Sequence, residues 1–230
     1  LDIAASVMAG YDGVTLVSLM EHHSNDLPHR NRSKVIHFGL NPDGSIDMND
    51  LEQKLAKNKV KLVAVTGASN VTGFIPDIHK IAKLAHRHGA RILVDAAQLL
   101  AHRPIDVKPN SDESHIDFLA AAGHKAYAPF GSAFLFGPRE VLDNAAPYIP
   151  GGGTVVYVTA DDVYYAKSPD RHQGGTPNIA GAIAFAESMN FLSEVGLENI
   201  RNHEVELTDY ALNRLKEIPE ELIKMLSGKS

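Results

Sequence analysis

The feature that most constrains the fold is the alternation of short β-branched runs with segments of helical periodicity. Two such runs are "KLVAVT" at 61–66 and "RILVD" at 91–95, and Ile78, Ile81 and Ala85 lie between them at the spacing of one helix face. A strand, a helix and a strand in this order are typical of a parallel sheet covered by helices. The sequence therefore predicts an α/β fold with a mostly parallel sheet.

The periodicity also predicts where the main elements lie. Strands are predicted at 14–19, 35–38, 61–66, 91–95, 117–121 and 132–136. One helix is expected to have Pro76 at a first helical position and to end at Gly89. Another is expected to follow Thr176 and Pro177, with Thr176 as N-cap, and to run to about Gly196. A last helix is expected to turn one apolar face inward, formed by Ile200, Leu207, Ala211 and Leu215.

Composition limits the class of protein. The 230 residues are 44% apolar, which is enough for one globular domain spanning residues 1–230. A net charge of −6 without a basic run argues against a nucleic-acid partner. Neither a membrane-length apolar segment nor a leader is evident, so we expect no membrane partner and a location in the cytoplasm or an organellar matrix.

No metal site is expected from the sequence. There is no cysteine, which excludes thiolate ligands and a cysteine nucleophile within these residues. Of the 12 histidines, His86 and His88 lie two apart on a predicted helix and point away from each other. The segment "HEVEL" at 203–207 lacks the second histidine of a zinc-protease motif.

The candidate site residues are polar side chains that follow the predicted strands. Ligands of such sheets bind beyond the carboxyl ends of the strands. The residues at these positions are His22, Asn70, Asp95, Gln98, His124 and Lys125.

Two of these residues point to one cofactor. Asp95 follows an apolar strand and requires a cationic partner if it is ionised there. Lys125 would act as a nucleophile only if its pKa fell from about 10.4 towards 7–8. Pyridoxal phosphate meets both requirements, because its aldehyde reacts with lysine and its ring nitrogen pairs with a carboxylate.

Five motifs carry a resemblance to a known family. They are "EHHSND" at 21–26, "TGASNVTG" at 66–73, "LVDAAQ" at 93–98, "AAAGHK" at 120–125 and "GGTPN" at 174–178. From about residue 14 to about residue 215 the chain resembles the class V aminotransferases, close to cysteine desulfurases and selenocysteine lyases. The resemblance implies the large domain of fold type I pyridoxal-phosphate enzymes, with a mostly parallel sheet of the seven-stranded type.

The resemblance also implies a role for each candidate residue. Lys125 would form the Schiff base, Asp95 would pair with the pyridine nitrogen, and Gln98 would bond the ring hydroxyl. His22 would stack on the ring and relay protons. Three further residues complete the implied set: Asn70 near the ring or the substrate carboxylate, His124 at the phosphate, and Thr176 at the phosphate of a neighbouring subunit. The last role implies a homodimer.

Each role has a simpler alternative. Lys125 could be a solvated strand end, and Asp95 a turn residue. His23 competes with His22 for the stacking role. Asn70 could cap the turn in "ASNVTG", and Thr176 could act only as a helix N-cap.

The sequence departs from the family pattern in three ways. Ala122 stands where desulfurases commonly have a phosphate-binding serine or threonine. The upstream phosphate loop is missing, as is the downstream small domain with its substrate arginine and sulfur-accepting cysteine. We therefore expect a large-domain fragment.

The leading functional interpretation is a pyridoxal-phosphate lyase or transferase that acts on a small amino acid, of the cysteine desulfurase or selenocysteine lyase type. A catalytically incomplete remnant or dimerisation scaffold is an alternative, as is an epimerase or aminotransferase of the same class. A nicotinamide-dependent oxidoreductase is disfavoured because its glycine fingerprint is absent.

Overall fold

The computed structural model describes residues 1–219, which form an α/β fold built on a six-stranded sheet. The strands, in chain order, are β1 (Val14–Ser18), β2 (Val35–Phe38), β3 (Val60–Thr66), β4 (Arg91–Asp95), β5 (Phe118–Ala122) and β6 (Ala133–Phe136). Their order in the sheet is β2-β1-β3-β4-β5-β6, and only β6 runs antiparallel to its neighbour. The predicted fold class is confirmed, with six strands in this sheet where the family pattern implied seven.

Helices flank the sheet. They are α1 (Asp2–Ala9), α2 (Leu27–Arg30), α3 (Met48–Lys57), α4 (Ile78–Arg87), α5 (Arg139–Asn144), α6 (Ile179–Val195) and α7 (Leu197–Leu215). Short 3₁₀ turns lie at His23–Asn25, Gly123–Ala126 and Asp170–His172, and a separate hairpin pairs β7 (Val155–Val158) with β8 (Val163–Tyr165). Every helix within residues 1–219 is too short or too polar to span a bilayer.

The core lies on both faces of the sheet, and strand β3 shows why. All seven of its residues are buried, so its side chains alternate between two apolar layers. Val63 and Val65 pack in the layer that includes α3 and α4, whereas Leu62 and Ala64 pack in the layer that includes α1. Burying an aliphatic side chain of this size contributes roughly 1.5–3 kcal/mol. These two layers hold the central strands, and therefore the residues that follow them, in fixed positions.

The starts of two predicted helices were each wrong by two residues. Helix α4 begins at Ile78, and its cap is Asp77, whose Oδ1 accepts the Lys80 N–H at 2.9 Å. Helix α6 begins at Ile179, and its cap is Asn178 rather than Thr176. In both cases a carboxylate or amide oxygen placed after a proline satisfies a free N–H of the first turn, which fixes the start of the helix there.

The inward face predicted for the last helix was also wrong. Helix α7 forms as expected, but Leu207 and Leu215 are 53% and 55% exposed, and Ala211 is exposed as well. Of the predicted face, Ile200 packs against the small cluster around α6. The periodicity identified an apolar face correctly, but it cannot tell whether another part of the chain covers that face.

Candidate active site

A cavity of about 680 Å³ lies at the carboxyl ends of β3, β4 and β5. This volume falls in the range of roughly 300–1,000 Å³ that small-molecule sites occupy. The wall includes all six candidates that follow predicted strands: His22, Asn70, Asp95, Gln98, His124 and Lys125. Residues 103 positions apart in sequence are thus brought to one cavity, as expected for a parallel sheet.

Asp95 occupies the last position of the central strand β4. Its backbone pairs with Thr66 on β3 and with Ala120 on β5, and only 5% of the residue is exposed. Oδ1 accepts the Ala97 N–H at 3.0 Å, so the carboxylate does stabilise the turn that follows the strand. Asp95 also lines the cavity.

Lys125 lies on the 3₁₀ turn Gly123–Ala126, directly after β5. Gly123 allows this turn to pack tightly, because a Cβ there would lie 2.6 Å from Ser132 Oγ and 3.2 Å from the Ser132 carbonyl oxygen. The turn ends at Tyr127, which has the left-handed φ of 64°. Lys125 is partly buried and lines the same cavity as Asp95.

His22 caps the 3₁₀ turn that follows β1. Its Nδ1 accepts the Ser24 N–H at 3.2 Å and lies 3.0 Å from Ser24 Oγ. A backbone N–H can only donate, so Nδ1 is the acceptor and the neutral ring carries its proton on Nε2. His22 therefore offers an N–H at Nε2 rather than a second lone pair. Its neighbour His23 is absent from the cavity wall.

Glu21 supports the turn of His22 from outside the cavity wall, and the sequence analysis missed it. Its carboxylate accepts the Thr66 N–H at 2.8 Å and the Asn25 side-chain amide at 2.7 Å, and it also bonds Ser18 Oγ. Burial raises the pKa of Glu21 to about 7 in spite of these bonds. Glu21 thus ties the turn that carries His22 to the end of β3. Its position at the start of "EHHSND" was the available signal, but the partner on β3 is 45 residues away.

Asn70 lies on the turn after β3, and Gln98 lies on the turn after β4. The turn after β3 is closed by Ser69, whose Oγ accepts the N–H groups of Val71 and Thr72 at 3.3 and 3.2 Å. Ser69, rather than Asn70, therefore caps this turn. Asn70 is exposed and Gln98 is partly buried, and both line the cavity.

Few of the residues predicted for the phosphate contribute a polar group to the cavity. His124 is exposed at the cavity, and Ala122 lines the cavity without a hydroxyl group. Thr176 is exposed and is absent from the cavity wall, whereas its neighbours Gly175 and Pro177 line a separate cavity of about 620 Å³. This position leaves Thr176 accessible to another chain.

The residues present fit pyridoxal phosphate at its ring. A buried carboxylate, a lysine amine and an imidazole line one cavity whose volume suits a molecule of this size, and these groups match the ring nitrogen, the aldehyde and the ring face. Of the residues predicted for the phosphate, His124 lines this cavity and Thr176 does not. The residues present therefore match the ring nitrogen, the aldehyde and the ring face of the cofactor, whereas few groups are available for its phosphate.

Comparison with known proteins agrees with the geometry. The family model described as aminotransferase class V matches residues 3–227. A probable cysteine desulfurase of Halalkalibacterium halodurans is 39% identical over 208 residues, which cover 88% of this chain and 50% of that protein. The chain thus spans about half the length of this relative.

Two solved structures share the fold. A cysteine desulfurase of Thermococcus onnurineus is 32% identical with a TM-score of 0.84, covering 94% of this chain and 55% of that one. The cysteine desulfurase CsdA of Escherichia coli is 29% identical with a TM-score of 0.85, covering 95% of this chain and 57% of that one.

Proposed function

The chain belongs to the class V aminotransferase family, and we propose that it is the cofactor-binding large domain of a pyridoxal-phosphate enzyme of the cysteine desulfurase type. The observation that carries the proposal is that Asp95 and Lys125, 30 positions apart in sequence, line a single cavity together with His22. The names of the relatives support a desulfurase over an epimerase or an aminotransferase.

Asp95 is proposed to hold the ring nitrogen of the cofactor. When bound, pyridoxal phosphate supplies a protonated ring that accepts electron density from the reacting substrate. Opposite unit charges 4 Å apart interact by about 4 kcal/mol at an effective dielectric constant of 20. Asp95 would supply the negative charge, and its burial and its position at the cavity support this role.

Lys125 is proposed to attach the cofactor and later to carry protons at its Nζ. The short turn after β5 holds this amine at the cavity. His22 is proposed to lie against the ring, where its Nε2–H can donate a hydrogen bond. Glu21 does not line the cavity, and we assign it the positioning of the His22 turn against β3.

The remaining contacts of the ring follow the same proposal. Gln98 would bond the ring hydroxyl, Asn70 would lie near the ring or the substrate carboxylate, and His124 would contact the phosphate. All three line the cavity. The proposed substrate is a small amino acid, with cysteine favoured over selenocysteine by the names of the relatives.

The proposed assembly is a homodimer with composite sites. Thr176 is exposed and lies outside the cavity of its own chain, which supports a role at the phosphate of a second chain. The β7–β8 hairpin has exposed apolar side chains, including Val156, Tyr157 and Tyr164. They support contact of this surface with a second chain.

The proposal is tested by binding and by reaction with the substrate. Equilibrium dialysis should find one pyridoxal phosphate per chain, with the absorbance of a lysine imine. Because these residues contain no sulfur-accepting cysteine, the reaction with added cysteine is followed by the change in cofactor absorbance rather than by release of sulfide. Lys125→Ala should abolish the lysine imine absorbance, whereas the exposed control Lys167→Ala should not. A cofactor spectrum that cysteine leaves unchanged would contradict the desulfurase assignment.

A second candidate function rests on Ala122 and the exposed His124. These residues give the phosphate few donors, which favours a dimerisation scaffold that has lost the cofactor. Tight stoichiometric binding in the dialysis experiment excludes the scaffold, and absence of binding together with a stable dimer supports it.

A further inference from the structure

A cluster of two histidines and an aspartate lies at the end of the sheet opposite the cavity. His86 lies near the end of α4, and His115 and Asp117 precede β5. The cavity is at the carboxyl ends of β4 and β5, whereas this cluster is beside their amino ends. It is therefore separate from the cofactor site.

The three side chains present their ligand atoms to one another. His86 Nε2 lies 2.8 Å from Asp117 Oδ2, and His115 Nε2 lies 3.5 Å from Asp117 Oδ1. Each residue offers one candidate ligand atom, and these three atoms all lie within 4.8 Å of one another. The two imidazole rings are stacked, with their centroids 4.3 Å apart.

Backbone contacts fix the tautomer of both histidines. His86 Nδ1 lies 2.7 Å from the Glu113 carbonyl oxygen, and His115 Nδ1 lies 2.7 Å from the Asp112 carbonyl oxygen. A carbonyl oxygen can only accept, so both Nδ1 atoms carry hydrogen, and in the neutral rings both Nε2 atoms have a free lone pair. This arrangement is the one that metal-binding histidines show, with the second nitrogen bonded to a carbonyl or carboxylate.

The carboxylate is oriented in the same way. Asp117 Oδ2 accepts the Ile92 N–H at 2.8 Å, which anchors the side chain to the start of β4 and leaves Oδ1 available. Ligand atoms at zinc bond lengths of 2.0–2.1 Å in a tetrahedron lie about 3.3 Å apart. His86 Nε2 lies 2.8 Å from Oδ2 and His115 Nε2 lies 3.5 Å from Oδ1, so each imidazole is near this separation from one oxygen of the carboxylate.

We propose that His86, His115 and Asp117 bind a divalent transition-metal ion of the zinc type. Two imidazoles favour such an ion over Mg²⁺ or Ca²⁺, which prefer oxygen ligands. Each of the three side chains is at least 9% exposed, so water has access to a fourth coordination position. The ion would join the end of α4 to the loop before β5.

The same atoms can also form a pair without metal. The hydrogen bond to Asp117 raises the pKa of His86, and an imidazolium there would donate to the carboxylate. A direct binding measurement separates the two cases, because only the metal site requires His115.

The test is calorimetric titration of the chain with Zn²⁺ at pH 7.5. We expect one site per chain that is weakened at least tenfold by His115→Ala and by His86→Ala. His88→Ala is the matched control, because His88 is exposed at the end of the same helix, and it should bind as the wild type does. His22→Ala should also retain the site, which excludes binding at the cavity.

A second measurement guards against loss of folding in the variants. Saturating Zn²⁺ should raise the midpoint of thermal unfolding of the wild type and of His88→Ala, but not that of a His115→Gln chain whose circular dichroism is unchanged. The proposal is overturned if the wild type neither binds Zn²⁺ nor is stabilised by it, or if His115→Ala and His115→Gln respond as the wild type does.

Discussion

At the scale of single residues, Asp95 combines two roles that can be separated. Its Oδ1 holds the turn after β4 through the Ala97 N–H, and the residue also lines the cavity. Asn in place of Asp keeps an oxygen for the Ala97 N–H and removes only the charge. The consequences for folding and for cofactor binding should therefore differ.

We predict that Asp95→Asn weakens binding of pyridoxal phosphate by about tenfold to a hundredfold, because a hydrogen bond to a charged group contributes about 1.5–3 kcal/mol. The free energy of unfolding without cofactor should change little. Absorbance titration measures the affinity. Asp2→Asn is the control, since Asp2 also lines the cavity but pairs with Arg32. Equal affinities of Asp95→Asn and wild type would contradict the role.

Glu21 gives a prediction about pH. The folded state holds the proton of this carboxyl up to a higher pH than the unfolded chain does, because burial raises its pKa from 4.5 to about 7. Its contribution to stability therefore falls as the pH rises from 4.5 through 7. At about 1.4 kcal/mol per pKa unit, the full effect is about 3 kcal/mol.

Glu21→Gln should remove this dependence. Urea unfolding at pH 5 and at pH 8 should show that the variant gains about 2 kcal/mol relative to the wild type between the two values. Taking the difference in free energy of unfolding between the two proteins removes the contribution of groups that titrate alike in both. A difference that does not vary with pH would contradict the assignment.

At the scale of elements, the strands were the most predictable part of the molecule. The six predicted runs match β1 to β6 with boundaries that differ by at most one residue. The buried parallel strands β1, β3, β4 and β5 are nearly continuous apolar runs, which makes them easy to identify in the sequence. The hairpin β7–β8 was missed although its strands consist of valine and tyrosine, because they lack the apolar and polar alternation that marks a half-buried strand.

The site was predictable only where residues follow strands. His22, Asn70, Asp95, Gln98, His124 and Lys125 could be found in this way, since the sheet brings the ends of its strands together. Glu21 and the pairing of His86 with His115 could not, because each depends on a contact between distant elements. Sequence spacing within one helix, which excluded His86 with His88, says nothing about such contacts.

The turn that carries Lys125 gives a prediction at this scale. Gly123→Ala would place a Cβ 2.6 Å from Ser132 Oγ, so we expect a loss of about 1–3 kcal/mol in the free energy of unfolding, together with weaker cofactor binding. The Ser132 hydroxyl has no hydrogen-bond partner within residues 1–219. Adding Ser132→Ala should therefore restore part of the loss.

Gly10→Ala is the matched control for this prediction. Gly10 has a φ of −71°, and the nearest atom to an added Cβ is the Val7 carbonyl oxygen at 3.8 Å. Urea unfolding should find this variant unchanged or slightly more stable. An equal loss in both alanine variants would show that packing at Gly123 is not the cause.

At the scale of the whole molecule, the proposed homodimer predicts complementation between chains. A Lys125→Ala chain and a Thr176→Ala chain should each bind the cofactor poorly. If Thr176 serves the site of the other chain, a heterodimer of the two variants contains one site in which both residues are intact.

Mixing the two variants after mild unfolding should therefore restore tight binding to at most one site per heterodimer. Dialysis of the mixture, with each variant alone as the control, measures this recovery. No recovery in a mixture that sedimentation shows to be dimeric would contradict a composite site.

The most direct test of the central claim is chemical identification of the residue that attaches the cofactor. The chain is incubated with pyridoxal phosphate, the lysine adduct is reduced with borohydride to a stable secondary amine, and the modified peptide is mapped by mass spectrometry. We predict stoichiometric modification of Lys125 in the wild type and none at that peptide in Lys125→Ala. Modification spread over surface lysines, with Lys125 unmodified, would contradict it.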